Sequence, residues 1–466
     1  METIPRRAFL AGSAVALAAA SLRAEESQTI DPREFGLEIP PGRVSPGDGR
    51  KVTTIDPQGE SVVAKLHVDV GDYRLVLLPD GQIAARKASE APVTDRPFLP
   101  ISKKDLTERL LTGKLANFKS KETRRYLYLY NTSENFALVT SKILESMFPG
   151  IAGYYEQQKL GLRAADFPLV VLMFRTEEEF QKYQRMPPGV VAYYNVLSNH
   201  VVMYEESKLF RIKPELGIQQ SISTIAHEGV HQILANIGVQ QRLSVWPMWI
   251  AEGLAEYFAP TTVGKKLQWK GPGQVNDLRM YELENYLKGR SADAPDGQMV
   301  QHTVSAARLT STGYASAWAL TTYLAKQERA KFNRYVAEIS KLGPLEGNLS
   351  TTGRGVILQN LETFSKFFGE DNADIEKKLV AYLKKLPYDD PFGEWPHFAA
   401  FVVSTANGKP KREANIFHSE QMADRWQRDT IAKLPEDVRG TAEASVRAFP
   451  NRVVAEAAAR EFLRGK

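Results

Sequence analysis

Two histidines four residues apart, with a glutamate directly after the first, stand in the stretch Thr224-Ile225-Ala226-His227-Glu228-Gly229-Val230-His231-Gln232. On an α-helix, positions i and i+4 lie about 40° apart in projection and about 6 Å apart along the axis. Both imidazoles therefore reach one point, and a metal ion is the ligand that suits two such nitrogens. Glu228 lies beside the first histidine, where it can act as a general base towards water. The chain has only 7 histidines in 466 residues, so this spacing is poorly explained by chance. It requires a helix, whose buried stripe Ile218, Ile222, Ile225, Ile233 and Ile237 supply, and Val230 and Leu234 widen that stripe so that the histidines border the core.

A catalytic zinc typically takes three protein ligands and leaves a position open. The third ligand is expected from the next helix-like run, Trp249-Ile250-Ala251-Glu252-Gly253-Leu254-Ala255-Glu256-Tyr257, which the break at Trp246-Pro247 allows to turn back. Glu252 and Glu256 are one turn apart and face the same way. The division that follows makes Glu252 the ligand and Glu256 the acceptor for the free nitrogen of His227 or His231. The plainer alternative is that one or both are solvated helix glutamates.

Along the chain, residues 1–24 read as an export signal, with Arg6-Arg7 before an alanine-rich apolar run. Arg6-Arg7-Ala8-Phe9-Leu10 resembles the twin-arginine signature, with Pro5 departing from the usual Ser or Thr. Residues 25–51 contain Pro40-Pro41-Gly42 and Pro46-Gly47-Asp48-Gly49 and read as a mobile leader. A small β-rich unit and linker follow over residues 52–118, with short strands around the turns Gly71-Asp72 and Asp80-Gly81 and a polar helix over residues 103–115. Residues 119–388 alternate strands and helices. This region includes a strand at 126–130, a long helix from Ser133, a fully apolar strand at 169–174, and a hairpin of 190–194 with 200–204 immediately before the His227 helix. Residues 259–308 form an insertion with one amphipathic piece near 278–287, expected at the mouth of the cleft. Residues 389–466 are an appended segment with a strand at 398–403 and a terminal alanine-rich helix; nothing in the sequence ties its His397 or His418 to a site.

Composition sets bounds on function. The formal net charge of +5 falls further when the arginines of the export signal are set aside, which argues against a nucleic-acid partner. No stretch reaches the roughly 18 apolar residues of a membrane span. With no cysteine, the chain has neither disulfides nor thiolate ligands. The expectation is a monomeric protein without a membrane span once the signal is removed.

His227-Glu228-x-x-His231 followed by Trp249-x-x-Glu252-Gly253-x-Ala255 resembles the gluzincin metallopeptidases. Over residues 126–386 the chain is also similar to the uncharacterised DUF1570 group of bacterial exported peptidase-like proteins. Tyr193-Tyr194-Asn195, Asn199 to Tyr204, Ala251 to Phe258 and Tyr314 to Leu320 carry that likeness. The resemblance implies an α+β, zincin-like catalytic domain: a mixed sheet with an edge hairpin, the His227 helix and a following helical subdomain. It implies Zn2+ held by His227, His231 and Glu252, with Glu228 as the proton carrier. Related enzymes often stabilise the oxyanion with a tyrosine from a downstream helix. Tyr314 is the candidate here, with Tyr257, Tyr194 and His302 as rivals and a buried helix-start tyrosine as the plain alternative.

The expected activity is zinc-dependent hydrolysis of peptide bonds outside the cytoplasm, in the periplasm, at the envelope or in the medium. The strand Val201 to Tyr204 is a candidate edge for pairing with an extended polypeptide substrate, unless it is already paired. Two other functions are compatible with the sequence: a zinc hydrolase of cell-wall amide bonds, and a non-catalytic envelope scaffold that retains the fold. The intact Glu228 argues against the scaffold, since holding a metal does not require a base.

Overall fold

A computed structural model describes residues 30–206, 214–262, 268–290, 293–347 and 354–465. Residues 1–24, read above as an export signal, lie outside them. The described chain is mixed α+β, with a β-rich N-terminal region and a largely helical second half. No described helix is long and apolar enough to cross a membrane.

The N-terminal region is a five-stranded antiparallel sheet of β1 (Val44–Pro46), β2 (Lys51–Ile55), β3 (Ser61–Val70), β4 (Tyr73–Leu77) and β5 (Ile83–Lys87). From Ile30 onward, the stretch read as a mobile leader is packed instead. β1 pairs with β3, Leu37 and Ile39 are buried with Val68 and Leu75, and Ile30 N–H donates to Leu345 O at 2.8 Å. The many Pro and Gly residues shape turns here, while the three apolar side chains supply the anchoring that composition alone conceals. After this sheet, α1 (Lys103–Leu110) ends earlier than expected, because the chain turns through Gly113 at a φ of 54° into a 3-10 turn.

The central sheet has the order β6-β7-β8-β10-β9. Its strands are β6 (Lys119–Glu122), β7 (Tyr126–Tyr130), β8 (Leu169–Thr176), β9 (Ala192–Asn195) and β10 (His200–Glu206). Strands β7, β8 and β10 are parallel, while β6 and β9 run antiparallel at the two edges. Alternation sends Tyr126, Tyr128, Val171, Met173, Val201 and Met203 to one face and Leu127, Leu129, Val170, Leu172 and Val202 to the other. The first face packs on α2 (Glu134–Glu156) and α4 (Pro214–Asn236). The second is covered by α1 and α3 (Glu177–Tyr183), the latter opening with the capping box of Thr176 and Glu179. Strand β10 is interior, paired on both sides, so the exposed edge belongs to β9. This corrects the expectation that Val201 to Tyr204 form an edge. The register pairs β10 with β8 on one side and β9 on the other, and Val201, Val202 and Met203 are all buried.

Beyond α4 come α5 (Met248–Phe258), the short pair β11 (Thr261–Thr262) and β12 (Gln268–Trp269), α6 (Asp277–Gly289), α7 (Gln298–Ser305), α8 (Ser311–Gln327), α9 (Arg329–Ile339), α10 (Arg354–Phe368) and α11 (Asn372–Leu383). Helix α4 begins at Pro214 itself, with Gly217 inside it rather than before it. The C-terminal segment is more regular than its sequence suggested. A three-stranded antiparallel sheet with β13 (His397–Ala406) between β14 (Lys409–Phe417) and β15 (Glu443–Phe449) carries α12 (Glu420–Ala432) and α14 (Arg452–Leu463), and a short α13 (Glu436–Arg439) lies before β15.

His200 opens β10 and is buried, and neither ring nitrogen has a hydrogen-bond partner among the described residues. Burial pushes its pKa from 6.5 to about 4, and the charge of Arg242 acts in the same direction. The folded value lies below the unfolded one, so the unfolded chain takes up the proton first and stability is lost as pH falls from 6.5 towards 4. At about 1.4 kcal/mol per unit, this one residue accounts for on the order of 3 kcal/mol. Urea unfolding of wild type and His200→Phe should show the variant gaining relative stability as pH falls through that window. Parallel stability curves would show that His200 is protonated in the folded chain.

Candidate metal centre

Helix α4 presents the site because Ile222, Ile225, Val230, Ile233 and Leu234 are buried in the core, leaving His227, Glu228 and His231 towards a cleft of about 360 Å³. The helix is fixed in rotation by Gln232. Its buried amide donates to Val170 O at 3.1 Å and Asn199 O at 2.7 Å, tying α4 to β8 and to the β9–β10 turn. Asn236 and Asn199 exchange side-chain hydrogen bonds one turn further on. The turn itself is held from the other side by Arg242, whose guanidinium donates to Val196 O, Leu197 O and Gly81 O. Gly81 belongs to the N-terminal sheet, and Ile83 N–H donates to Leu197 O at 2.8 Å. The β-rich region thus braces one wall of the cleft, and Phe35 of the N-terminal stretch lines it.

Helix α5 returns antiparallel enough to bring Glu252 against both histidines. Its Oε2 lies 2.9 Å from His227 Nε2 and 3.5 Å from His231 Nε2. The two Nε2 atoms are 3.3 Å apart. His227 Nδ1 lies 3.1 Å from Glu256 Oε1. Ionised carboxylates only accept, so Nδ1 donates to Glu256, while Nε2, facing Glu252 and His231, carries a proton in the metal-free ring and presents its lone pair there once a cation takes that proton's place. Lone pairs of two imidazoles and a carboxylate oxygen then face one another, an arrangement that needs positive charge between them. A zinc ion, which favours nitrogen and oxygen donors in this combination, fits the donor set.

The electrostatics are consistent with that fit. Burial raises the Glu252 carboxyl, but His231 and His227 outweigh it and hold the group well below the usual carboxylate range. Burial likewise opposes ionisation of Glu256, and Arg279 and His227 together bring it down to about 2. Burial disfavours charge on His227, yet the carboxylates on both its nitrogens outweigh that and favour the proton; a cation would occupy the same place beside Nε2. Glu228 differs from its neighbours. Burial pushes its pKa up, only partly countered by the two histidines. Its Oε2 accepts the Tyr194 N–H of edge strand β9 at 2.8 Å.

Tyr314 stands in the first turn of α8 and lines the same cleft, its ring centroid 6.1 Å from that of His227. Burial, with Glu252, Glu228 and Glu256 nearby, raises its pKa, so the hydroxyl keeps its proton. The rivals stand elsewhere or are engaged. Tyr257 packs against Tyr154 and Phe258 in the core, and His302 lines a separate cavity. Tyr194 lines the cleft with its hydroxyl donating to Asn199 Oδ1 at 2.8 Å.

Arg279 and Asn276 were not singled out in the sequence. Arg279 Nη2 donates to Glu256 Oε1 at 2.6 Å and Asn276 Nδ2 to Glu256 Oε2 at 2.9 Å. Asn276 also caps α6. The Asn-Asp-Leu-Arg start of the amphipathic piece was the available signal, since a cap fixes where the first turn points.

Gly253 explains how α5 sits so close to α8. A Cβ there would collide with Thr321 Oγ1 and the Ala317 carbonyl oxygen. Gly253→Ala should therefore cost about 1–3 kcal/mol through overpacking, read by urea unfolding, and Thr321→Ala added to it should recover part of the loss. No recovery would mean that the close approach does not set the helix spacing.

Residues 221–346 match the family model described as "Protein of unknown function (DUF1570)". That match spans His227, Glu228, His231, Glu252, Glu256 and Tyr314, and is narrower than the likeness over residues 126–386. No curated protein matches the chain.

Proposed function

We propose that the cleft is the active site of a zinc-dependent peptidase of the gluzincin type, built on a zincin-like fold and acting outside the cytoplasm on peptides or polypeptides. The observation that carries this reading is the convergence of His227, His231 and Glu252 on one point with a separate carboxylate, Glu228, that is not among those three donors and lines the same cleft. A structural zinc site is normally closed by four protein ligands. Three donors with a base beside them suit catalysis better.

Zinc held by His227, His231 and Glu252 would supply a Lewis acid that polarises a carbonyl group and makes water easier to deprotonate. Glu228 takes the proton from the attacking water and returns it to the leaving amine. A carboxyl whose pKa is raised by burial suits both halves of that task, because it takes up a proton more readily than an exposed carboxylate does. Tyr314 donates its hydroxyl hydrogen to the substrate oxygen as that atom gains negative charge. Arg279 and Asn276 hold Glu256, Glu256 holds His227, and the ligand ring is thereby oriented. An extended substrate pairs with β9, the edge strand, whose Tyr194 N–H already reaches towards Glu228. Val196, Leu243, Trp246 and Met248 give the cleft apolar walls, which suits a peptide side chain better than a sugar-rich wall fragment.

Zinc content and cleavage of a peptide library, followed by mass spectrometry, test the reading. Glu228→Gln should keep its zinc and lose about 10²- to 10⁴-fold or more in turnover. Tyr314→Phe should keep zinc and Michaelis constant and lose about 10²- to 10³-fold in the rate constant. A Glu228→Gln chain that cleaves as fast as wild type would overturn the mechanism.

A further inference from the structure

A second convergence of donors lies at the join between the helical half and the C-terminal sheet. His397 opens β13 and His418 directly follows β14. The antiparallel register pairs Phe398 with Phe417, so the two histidines fall opposite each other at the end of that ladder, with ring centroids 4.3 Å apart. Asp390, in the loop after α11, reaches both. Its Oδ2 is 3.4 Å from His397 Nε2 and 3.4 Å from His418 Nε2. The side chains of His397 and Asp390 are 1% and 4% exposed and that of His418 is 12%. Among the described residues this and the His227 cluster are the two groups whose ligand atoms all gather within 4.8 Å.

The hydrogen bonds around the cluster decide what it lacks. His397 Nδ1 lies 2.7 Å from Trp395 O. A carbonyl cannot donate, so Nδ1 carries a proton, and Nε2, 3.4 Å from Asp390 Oδ2, faces a carboxylate oxygen across a gap that needs either a second proton or a cation. Fixing one ring nitrogen with a carbonyl so that the other can bind is the usual arrangement of a metal-ligating histidine. Asp390 is equally fixed, since its Oδ1 accepts the Phe392 N–H at 2.9 Å. Arg452 also donates to Oδ2, at 2.8 Å, but its charge is already met by Glu284 at 2.9 and 3.0 Å and by Glu456 at 2.9 Å. Asp390 Oδ2 therefore keeps a lone pair and net negative charge for another cation. Hydrogen bonds could satisfy the cluster only with a proton on each Nε2. One cation satisfies both rings and the carboxylate together.

The geometry points to a second metal centre in which Asp390, His397 and His418 bind a divalent transition-metal ion of the zinc class. Two imidazoles and one carboxylate disfavour magnesium and calcium, which prefer all-oxygen shells. The centre is a fastener. Asp390 belongs to the chain leaving the helical half, and both histidines belong to the sheet. The His418 ring also packs on Tyr281 of α6, centroids 4.6 Å apart. In a chain with no cysteine, an ion here does the cross-linking that a disulfide would do elsewhere. The inference does not depend on the peptidase reading, because it uses no residue of the first cleft.

The test is zinc counting by elemental mass spectrometry on the full chain, stripped with chelator, reloaded with zinc and dialysed. His231→Ala, which disables the first cluster, should still hold about one zinc per chain, and zinc should raise its melting temperature. His231→Ala/His418→Ala should hold none and show no zinc-dependent rise. Circular dichroism establishes that each variant is folded, and His418→Gln, which preserves bulk, replaces His418→Ala if the latter is not. A folded His231→Ala chain without zinc, or a folded double variant that retains as much as His231→Ala, would overturn the proposal.

Discussion

Glu256 accepts from His227 Nδ1 while Arg279 and Asn276 occupy its oxygens, and the direction of the His227 lone pair follows from that. The carboxylate is almost entirely buried, so its ionisation depends on those partners. Remove them and the imidazole is free to turn or to take the other tautomer. Everything proposed for the cleft rests on this orientation, because His231 and Glu252 converge only on a Nε2 that points their way. The helices serve the same end. Gly253 lets α5 approach α8, and Gln232 locks α4 to the sheet, so the three donors are set by packed, regular elements rather than by loops.

The N-terminal region extends this support outward. Arg242 and Ile83 join the N-terminal region to the β9–β10 turn, and Ile30 donates to Leu345, whose own N–H donates to Leu243 beside Arg242. The turn that follows edge strand β9 is therefore tied to a second sheet that precedes it in the chain. Glu228 closes the arrangement by accepting the Tyr194 N–H from that strand. Glu228 and the edge strand are consequently joined by a hydrogen bond.

Much of this was legible in the sequence, for identifiable reasons. The i, i+4 histidines and the glutamates one turn apart on the following helix are constraints of helix geometry, and local spacing carries them without knowledge of the fold. Thr176 and Glu179, and the strand from Leu169, were equally local. Contacts between distant segments were not. Arg279 meets Glu256 only because α6 folds back across α5, and Asp390 meets His397 and His418 only through a strand register that charged β14 conceals. Its Lys409-Pro410-Lys411-Arg412-Glu413 start has no apolar alternation to read. The inner position of β10 was also hidden, since whether a strand is at an edge depends on what pairs with it and not on its own residues. The stretch 30–51 misled for the opposite reason: its prolines and glycines outnumber the apolar side chains that anchor it.

Both donor clusters share one physical logic, in which one histidine nitrogen donates to a fixed acceptor so that the other faces a carboxylate oxygen in a buried space. For the cleft, the most direct test is anomalous diffraction at the zinc edge from crystals of the zinc-loaded chain. The account predicts a peak about 2.0–2.2 Å from His227 Nε2, His231 Nε2 and a Glu252 carboxylate oxygen. Zinc-loaded crystals with no anomalous density there, or with zinc bound by the histidines while Glu252 points away, would contradict it.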